Sequence, residues 1–145
     1  MKRNILNLLF LSLAISLFAQ DWHTDFAEAK DLASKGDKKI ILVFQGSDWC
    51  APCIRLEREV WSTEEFKRYA EENYVMLQAD FPRKKQNALE AKQQEQNKML
   101  AETYNQSGYF PYVVILDNNG KVLGTTGYKK MKPAAYIEHL ESFKS

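Results

Sequence analysis

The two cysteines of the chain stand close together, in the segment Trp49-Cys50-Ala51-Pro52-Cys53. Thiols at this spacing can close a disulfide and open it again, which is the chemistry of thiol–disulfide exchange. The segment follows a continuous apolar run, Ile40–Phe44, and precedes a stretch with helical spacing of its apolar residues. Cys50 is therefore predicted at the N-terminus of a helix, where unpaired backbone N–H groups and the helix dipole stabilise a thiolate.

This placement assigns different roles to the two thiols. Cys50, at the exposed end of the helix, is the natural nucleophile, and Cys53, one turn further on and more buried, is the resolving thiol. Pro52 is tolerated because its missing N–H would have no partner in the first turn. Two other interpretations stay open. The pair could be half of a zinc site, with His23 and His139 the only histidines available, or a static disulfide whose small loop adds little stability.

Length and charge exclude several classes of protein. The 145 residues, 45% of them apolar, are enough for one domain with its own core. Lys and Arg number 20 and Asp and Glu 19, a net charge of +1, so no basic surplus is available for nucleic acid. Two cysteines are too few for a disulfide-rich scaffold or a four-cysteine zinc site.

Residues 1–19 are predicted to be a secretory signal sequence, followed by one domain over residues 20–145. Lys2 and Arg3 precede a mainly apolar, uncharged run, Ile5–Phe18, and Ala19 is a suitable residue for cleavage. An uncleaved membrane anchor is the alternative, although the run is shorter than the ~20 apolar residues of a spanning helix. Outside the cytosol, a close pair of cysteines is oxidised unless a partner reduces it.

Helices and strands alternate through the rest of the chain. Helices are predicted over Trp22–Ala33, with Gly36 as the stop signal, over Cys50–Trp61, over Ser62–Glu72, with Ser62 as the cap, over Arg83–Tyr104 and from Pro133. Strands are predicted over Lys39–Phe44, Tyr74–Ala79, Tyr112–Leu116 and Lys121–Thr126. Asn118-Asn119-Gly120 is a hairpin turn, which makes the last two strands antiparallel. A helix between strands favours a parallel crossover. The prediction is an α/β fold, a central mixed β-sheet flanked by helices on both faces.

Two segments carry a resemblance to a known family: Ile40–Cys53, IILVFQGSDWCAPC, and Phe110–Gly124, FPYVVILDNNGKVLG. The chain resembles the thioredoxin superfamily, and is similar to exported bacterial members and to the C-terminal domain of the transmembrane disulfide reductase. The resemblance implies a thioredoxin-like fold in the periplasm of a Gram-negative bacterium. It also implies protein disulfide or dithiol clients, a membrane-embedded redox partner, and no organic cofactor or metal.

The resemblance assigns further site residues. Pro111 matches the cis-proline that faces the cysteine pair in the family, although a proline that merely opens a strand is the alternative. Phe110, the residue before it, would offer its backbone N–H and C=O to an extended substrate segment. Trp49 matches the aromatic residue beside the nucleophile and is expected to form a partly exposed contact surface.

Departures from the family pattern concern the proton of the resolving thiol. Phe44 stands where the family keeps a buried acid, and Met76 where it keeps a lysine near that acid. A buried Cys53 without a base is expected to hold its proton. Asp48 is a possible substitute, although an exposed turn residue is the simpler interpretation.

The interval between Asp80 and Pro111 is about double that of the family. Its extra segment, Arg83–Met99, is polar and lysine-rich, and is predicted to be a solvated, extended crossover helix, with docking of a partner as the alternative. The Asp80-Phe81-Pro82 segment before it is shared with related exported proteins.

The direction of electron flow is weakly encoded. Ala51-Pro52 is closer to the reducing members of the family than to the strong oxidants, which favours a reductase or isomerase over a dithiol oxidase. A binding module for copper delivery or chaperoning is the second class, because Cu(I) accepts two thiolates. The chain lacks a long exposed apolar stripe, which favours a monomer.

Overall fold

The computed structural model describes residues 20–143 as one five-stranded sheet with helices on both faces. The predicted signal sequence, residues 1–19, lies outside the described residues. The strands are β1 (Trp22–His23), β2 (Lys39–Gln45), β3 (Tyr74–Asp80), β4 (Tyr112–Leu116) and β5 (Val122–Thr126). The helices are α1 (Phe26–Gly36), α2 (Ala51–Leu56), which continues as a π-helical turn over Glu57–Trp61, α3 (Glu64–Asn73), α4 (Ala91–Tyr104) and α5 (Pro133–Glu141). The predicted α/β class is confirmed.

The sheet is mixed, in the order β1-β3-β2-β4-β5. β1 and β2 run parallel to β3, whereas β4 runs antiparallel to both β2 and β5. The last residue of β3, Asp80, pairs with Gln45, and the first residue of β4, Tyr112, pairs with Phe44. The helix between β3 and β4 is thus not a parallel crossover, because the chain returns to the end of the sheet that it left.

Burial of the β2 residues Ile40–Phe44 on both faces of the sheet divides the core in two. Successive side chains of a strand point to opposite faces. Ile41 and Val43 pack against α2, α3 and α5, whereas Ile40, Leu42 and Phe44 pack against α1 and α4. This explains why the apolar run of β2 is continuous rather than alternating.

Trp61 is the centre of the first of these cores. Its side chain is 1% exposed, and its ring packs edge-to-face against those of Trp22, Phe66 and Tyr136 at centroid distances of 6.2, 4.7 and 5.4 Å. Edge-to-face pairs add to the free energy gained by burying each ring. The π-helical turn that carries Trp61 therefore joins α2, which begins at the cysteine pair, to α3 and α5.

The ends of two helices differ from the sequence prediction. Thr63, not Ser62, caps α3, because its hydroxyl accepts a hydrogen bond from the Phe66 N–H at 3.3 Å. The Ser62 hydroxyl instead donates to Glu57 at 2.6 Å. α1 includes Gly36, and the left-handed residue that ends it is Asp37, with φ of 49°.

Two segments predicted to be helical are not. Trp22–His23 forms β1 beside Met76 and Leu77, because pairing with β3 provides backbone hydrogen bonds that the apolar spacing could not indicate. Residues 83–90 are irregular apart from a short 3₁₀ turn, so the helical part of the long insertion begins at Ala91.

The hairpin between β4 and β5 is confirmed. Gly120 has φ of 90°, which favours glycine, and the Asp117 carboxylate accepts hydrogen bonds from the N–H groups of Asn119 and Lys121, both at 2.9 Å. Within residues 20–143, every helix is too short or too polar to cross a membrane.

We predict that Trp61→Ala lowers the free energy of unfolding by about 3–5 kcal/mol, because it leaves a cavity among the three aromatic rings that pack against Trp61. Urea unfolding followed by circular dichroism measures the change. Met99→Ala is the control, since Met99 is 59% exposed and its truncation should cost less than about 0.5 kcal/mol. Equal losses in the two variants would contradict this assignment of the core.

Candidate active site

Cys50 is the N-cap residue of α2, as predicted. Its backbone is extended, with φ of −88° and ψ of 98°, and its sulfur accepts a hydrogen bond from the Cys53 N–H at 3.3 Å. Cys50 and Cys53 form a disulfide, with their Cα atoms 5.2 Å apart. Pro52 lies in the first turn, where its missing N–H leaves no helical hydrogen bond unmade. A reduced Cys50 would therefore have its sulfur at free helix N–H groups that stabilise a thiolate.

The expected difference in burial between the two cysteines is wrong for this oxidised site. Cys50 is 3% exposed and Cys53 is 5% exposed, so Cys53 is not the more buried of the two. The disulfide turns the Cys50 sulfur toward Cys53 and its backbone N–H, and so away from solvent. Any difference in solvent exposure between the two cysteines has to arise in the reduced protein, after the disulfide opens.

Trp49 lies half-buried against other aromatic residues rather than projecting into solvent. Its indole N–H donates to the Phe81 carbonyl at 2.8 Å, and its ring packs edge-to-face on Phe110 with centroids 5.5 Å apart. Phe81 in turn packs on Phe110 at 5.5 Å. We call Trp49, Phe81 and Phe110 the aromatic cluster. A Cβ atom at Gly46 would collide with the Trp49 ring, so the ring can lie where it does only because residue 46 is glycine.

The Phe110–Pro111 peptide bond is cis, as the resemblance implies. Pro111 is buried and Phe110 half-buried, and the contact between Phe110 and Trp49 brings this segment beside the cysteine pair. Gly127 borders the same place, since a Cβ atom there would lie 3.2 Å from the Pro111 carbonyl oxygen. The three predicted elements of the site, the cysteine pair, Trp49 and the cis-proline segment, therefore meet at one end of the sheet.

Phe44 faces away from Cys53. It packs on the α1 and α4 side of the sheet, whereas α2 lies on the other side. The next residue, Gln45, points to the cysteine side and lines a cavity with Cys53, Gln78 and Glu57. Gln45 and Gln78 hydrogen-bond to each other at 3.1 Å. The side-chain amides of Gln45 and Gln78 and the carboxylate of Glu57 thus line the cavity next to Cys53.

Glu57 is a site residue that the sequence analysis missed. It follows Cys53 by four residues, so both side chains lie on one face of the helix. Its carboxylate accepts a hydrogen bond from the Ser62 hydroxyl at 2.6 Å, which fixes its orientation. The i, i+4 spacing after Cys53 was the signal that could have identified it.

Asp48 organises the loop that follows β3. Its carboxylate accepts hydrogen bonds from the N–H groups of Arg83 and Lys84 at 2.9 and 3.0 Å and from the Asn87 amide at 2.9 Å. The Arg83 N–H, followed by the Asn87 amide, holds the pKa of Asp48 below its ordinary value of 3.8. Asp48 is therefore ionised at neutral pH and acts as a structural acceptor, which argues against a role as a proton acceptor for Cys53.

Further contacts hold the same loop against the cysteine segment. The Asp80 carboxylate accepts from the Ser47 N–H at 2.9 Å and from its hydroxyl at 2.5 Å. The buried Asn97 amide of α4 donates to the Asp80 carbonyl at 2.9 Å. The Arg83 guanidinium lies 3.7 Å from the centroid of the Trp49 ring. The first part of the insertion, predicted to be a helix, is thus a fixed loop beside the active site.

Outside the cysteine pair, the described residues contain no cluster of side chains that could hold a metal ion. His, Cys, Asp and Glu side chains of residues 20–143 do not come together in groups of three or more. His23 and His139 lie on different elements, β1 and α5, and His139 contacts the Thr126 hydroxyl at 2.8 Å.

Comparison with known proteins gives consistent matches. A family model described as thioredoxin-like matches residues 21–118. The disulfide bond reductase DsbH of Chlamydia pneumoniae is 35% identical over 117 residues, which cover 81% of this chain and 69% of that protein. A solved structure of a DsbH oxidoreductase superposes with a TM-score of 0.79 at 30% identity, covering 98% of this chain and 93% of the other.

The C-terminal domain of Neisseria meningitidis DsbD in its oxidised form shares the fold, with a TM-score of 0.57 at 18% identity over 81% of this chain and 91% of that one. The family match spans well over half of the chain and includes both cysteines. The chain belongs to the thioredoxin-like family and is a thiol–disulfide oxidoreductase with a Cys-x-x-Cys pair.

Proposed function

We propose that this thiol–disulfide oxidoreductase reduces protein disulfides outside the cytosol. The observation that carries the proposal is the disulfide at the N-cap of α2, next to a cis-proline segment that can receive an extended substrate. The direction is supported by the relative in Chlamydia pneumoniae, which is described as a disulfide bond reductase. Ala51-Pro52 between the cysteines favours the same direction.

The reaction has two exchange steps. The Cys50 thiolate attacks one sulfur of the substrate disulfide, forms a mixed disulfide, and releases the other substrate sulfur as a thiolate. The Cys53 thiol then loses its proton and attacks the Cys50 sulfur. This step releases the second substrate thiolate and leaves the Cys50–Cys53 disulfide. Two electrons have then passed from the protein to the substrate, and a donor has to return them before the next cycle.

The substrate segment would pair with the backbone at Phe110, beside Pro111, as an added strand does. Its apolar side chains would contact the aromatic cluster, which is half-buried and therefore still accessible on one side. This arrangement supports recognition of an extended chain rather than of one side chain.

Glu57 would accept the proton of Cys53, directly or through a water molecule in the cavity that both residues line. General bases act within hydrogen-bond reach or through one water. The Gln45–Gln78 amide pair supplies polar atoms in the same cavity, so the leaving proton does not have to cross an apolar region. The assignment would explain how the site works without an acid at Phe44.

Export, the redox partner and the oligomeric state are part of the same proposal. Residues 1–19 would direct the chain to the periplasm and be removed, leaving the domain over residues 20–145. A membrane-embedded donor would return electrons to the disulfide, because the soluble reductants of the cytosol are absent there. The mature protein would act as a monomer on its clients.

The reduction potential and the cysteine variants test the exchange reaction and its direction. The wild-type protein is expected to reduce insulin and to have a reduction potential near that of thioredoxin, about −270 mV, measured against a dithiothreitol series. Cys53→Ala should trap substrates as mixed disulfides on Cys50, because the second step has no attacking thiol. Cys50→Ser should trap none.

A potential near about −120 mV would contradict the proposed direction and identify a dithiol oxidase. Binding of one Cu(I) ion per chain by a wild-type protein that does not reduce insulin would instead identify a binding module. Protection of a client protein by Cys50→Ser without any exchange activity would identify a chaperone.

Substitution of Glu57 tests its role as the acceptor of the Cys53 proton. Glu57→Gln should slow resolution of the mixed disulfide about tenfold to hundredfold near neutral pH, because the proton of Cys53 loses its acceptor. Rapid-quench measurements of the resolution rate against pH would show the loss at neutral pH and recovery at alkaline pH, where the thiol ionises unaided. Glu57→Asp should recover part of the rate.

Glu65→Gln is the matched control, because Glu65 is an exposed glutamate on α3, away from the cavity. A Glu57→Gln variant with the rate and pH profile of the control would show that Glu57 takes no part in the proton transfer.

A further inference from the structure

A cleft rich in cations lies beside the active site and takes no part in the exchange chemistry. It has a volume of about 700 Å³ and runs between the loop after β3 and the first half of α4. Its cationic side chains are Arg83, Lys84, Lys85 and Lys98, and its carboxylates are Asp80 and Glu95. We call this the basic cleft.

The charges of the basic cleft are available for a partner. Among the ion pairs of residues 20–143, none involves any of the four cations. The loop residues Arg83, Lys84 and Lys85 are all exposed. One of the two carboxylates, Asp80, is already engaged by the Ser47 N–H and hydroxyl. The cleft therefore presents a local excess of positive charge on a protein whose total charge is nearly balanced.

The loop that carries these cations is fixed in place. Asp48 accepts from the backbone N–H groups of Arg83 and Lys84 and from the Asn87 amide, and Asn97 of α4 donates to the Asp80 carbonyl. These bonds use backbone groups of the cationic residues, and the ammonium groups of Lys84 and Lys85 have no ion-pair partner among residues 20–143. Because the backbone of the loop is already held, only the side chains of its cations lose conformational freedom when a partner binds.

The basic cleft is continuous with the active site. The Arg83 guanidinium lies 3.7 Å from the centroid of the Trp49 ring, and Trp49 packs on Phe110, the residue before the cis-proline. A chain that crosses the aromatic cluster to reach Cys50 would extend next to the cations of the loop. The same chain whose disulfide is being reduced would therefore reach the cleft.

From this continuity we propose that the basic cleft binds an acidic segment that flanks the reactive cysteine of a protein substrate. The proposal rests on the proposed function and names its substrate class: disulfides with Asp or Glu residues near one cysteine. Complementary charge raises the rate of encounter and disfavours substrates with basic flanks. The class follows from the unpaired cations and from the contact of one of them, Arg83, with Trp49.

The test uses two peptides that each carry one disulfide and differ only in having Glu or Gln at the positions flanking one cysteine. The reduced full-length protein should reduce the Glu peptide about threefold to tenfold faster in kcat/KM at low ionic strength. In Lys84→Gln/Lys85→Gln, the ratio of the two values should fall toward one. Both substitutions keep the backbone N–H groups, including the one that Lys84 donates to Asp48.

Lys35→Gln/Lys121→Gln is the matched control, with the same change in total charge. Lys35 lies at the end of α1, just before β2, and Lys121 at the hairpin beyond β4, so both are at strand ends opposite to Cys50 and Pro111. The control should keep the wild-type ratio. A wild-type ratio near one, an unchanged ratio in Lys84→Gln/Lys85→Gln, or an equal fall in the control would each overturn the proposal.

A separate binding measurement keeps failure of this proposal distinct from failure of the proposed function. Fluorescence anisotropy with labelled linear Glu and Gln peptides and the Cys50→Ser/Cys53→Ser protein reports docking without exchange. Tighter binding of the Glu peptide, lost in Lys84→Gln/Lys85→Gln, would support the cleft even if neither disulfide peptide were reduced. Equal dissociation constants for the two peptides would overturn it even if both were reduced.

Discussion

The burial of β2 on both faces of the sheet is the constraint on which the rest of the structure depends. A strand with apolar side chains on both faces is stable only when helices cover both, and α2, α3 and α5 on one side and α1 and α4 on the other do so. The chain can leave such a strand only at its end. The loop after Gln45 therefore places Cys50 at one end of the sheet, beyond the last residue of β2, where α2 begins.

The directions of β3 and β4 bring the other parts of the site to the same end of the sheet. β3 is parallel to β2 and ends beside it, and β4 is antiparallel and starts beside it. The loop after β3 and the Phe110–Pro111 segment before β4 thus lie next to the cysteine loop. Hydrogen bonds that the Asp48 and Asp80 carboxylates accept, and one that the Trp49 indole donates, then join the loops to one another. The long insertion is consequently part of the site rather than a distant crossover.

The cavity next to Cys53 shows how the two faces of one strand carry different kinds of side chain. Phe44 and Gln45 are neighbours in sequence, but one lies in the α1 and α4 core and the other beside Cys53. The face opposite to Phe44 carries Gln45, Gln78 and, from the π-helical turn after α2, Glu57. In the proposed mechanism, the proton of the resolving thiol therefore leaves on the cysteine face of the sheet, toward a carboxylate that the helix itself carries.

The sequence by itself determined the chemistry and most of the elements. Continuous apolar runs identified β2, β3 and β4, the Cys50 to Cys53 spacing after β2 identified the redox pair, and the resemblance identified Pro111. These signals are local, because they depend on side-chain periodicity, on helix capping and on a short motif. Only the tertiary structure decided that Trp22–His23 is a strand, that residues 83–90 form a fixed loop, and that Glu57 rather than Asp48 lies with Cys53. Each of these features depends on residues that are distant in sequence, or on the face of an element on which a side chain lies. The local pattern of residues indicates neither.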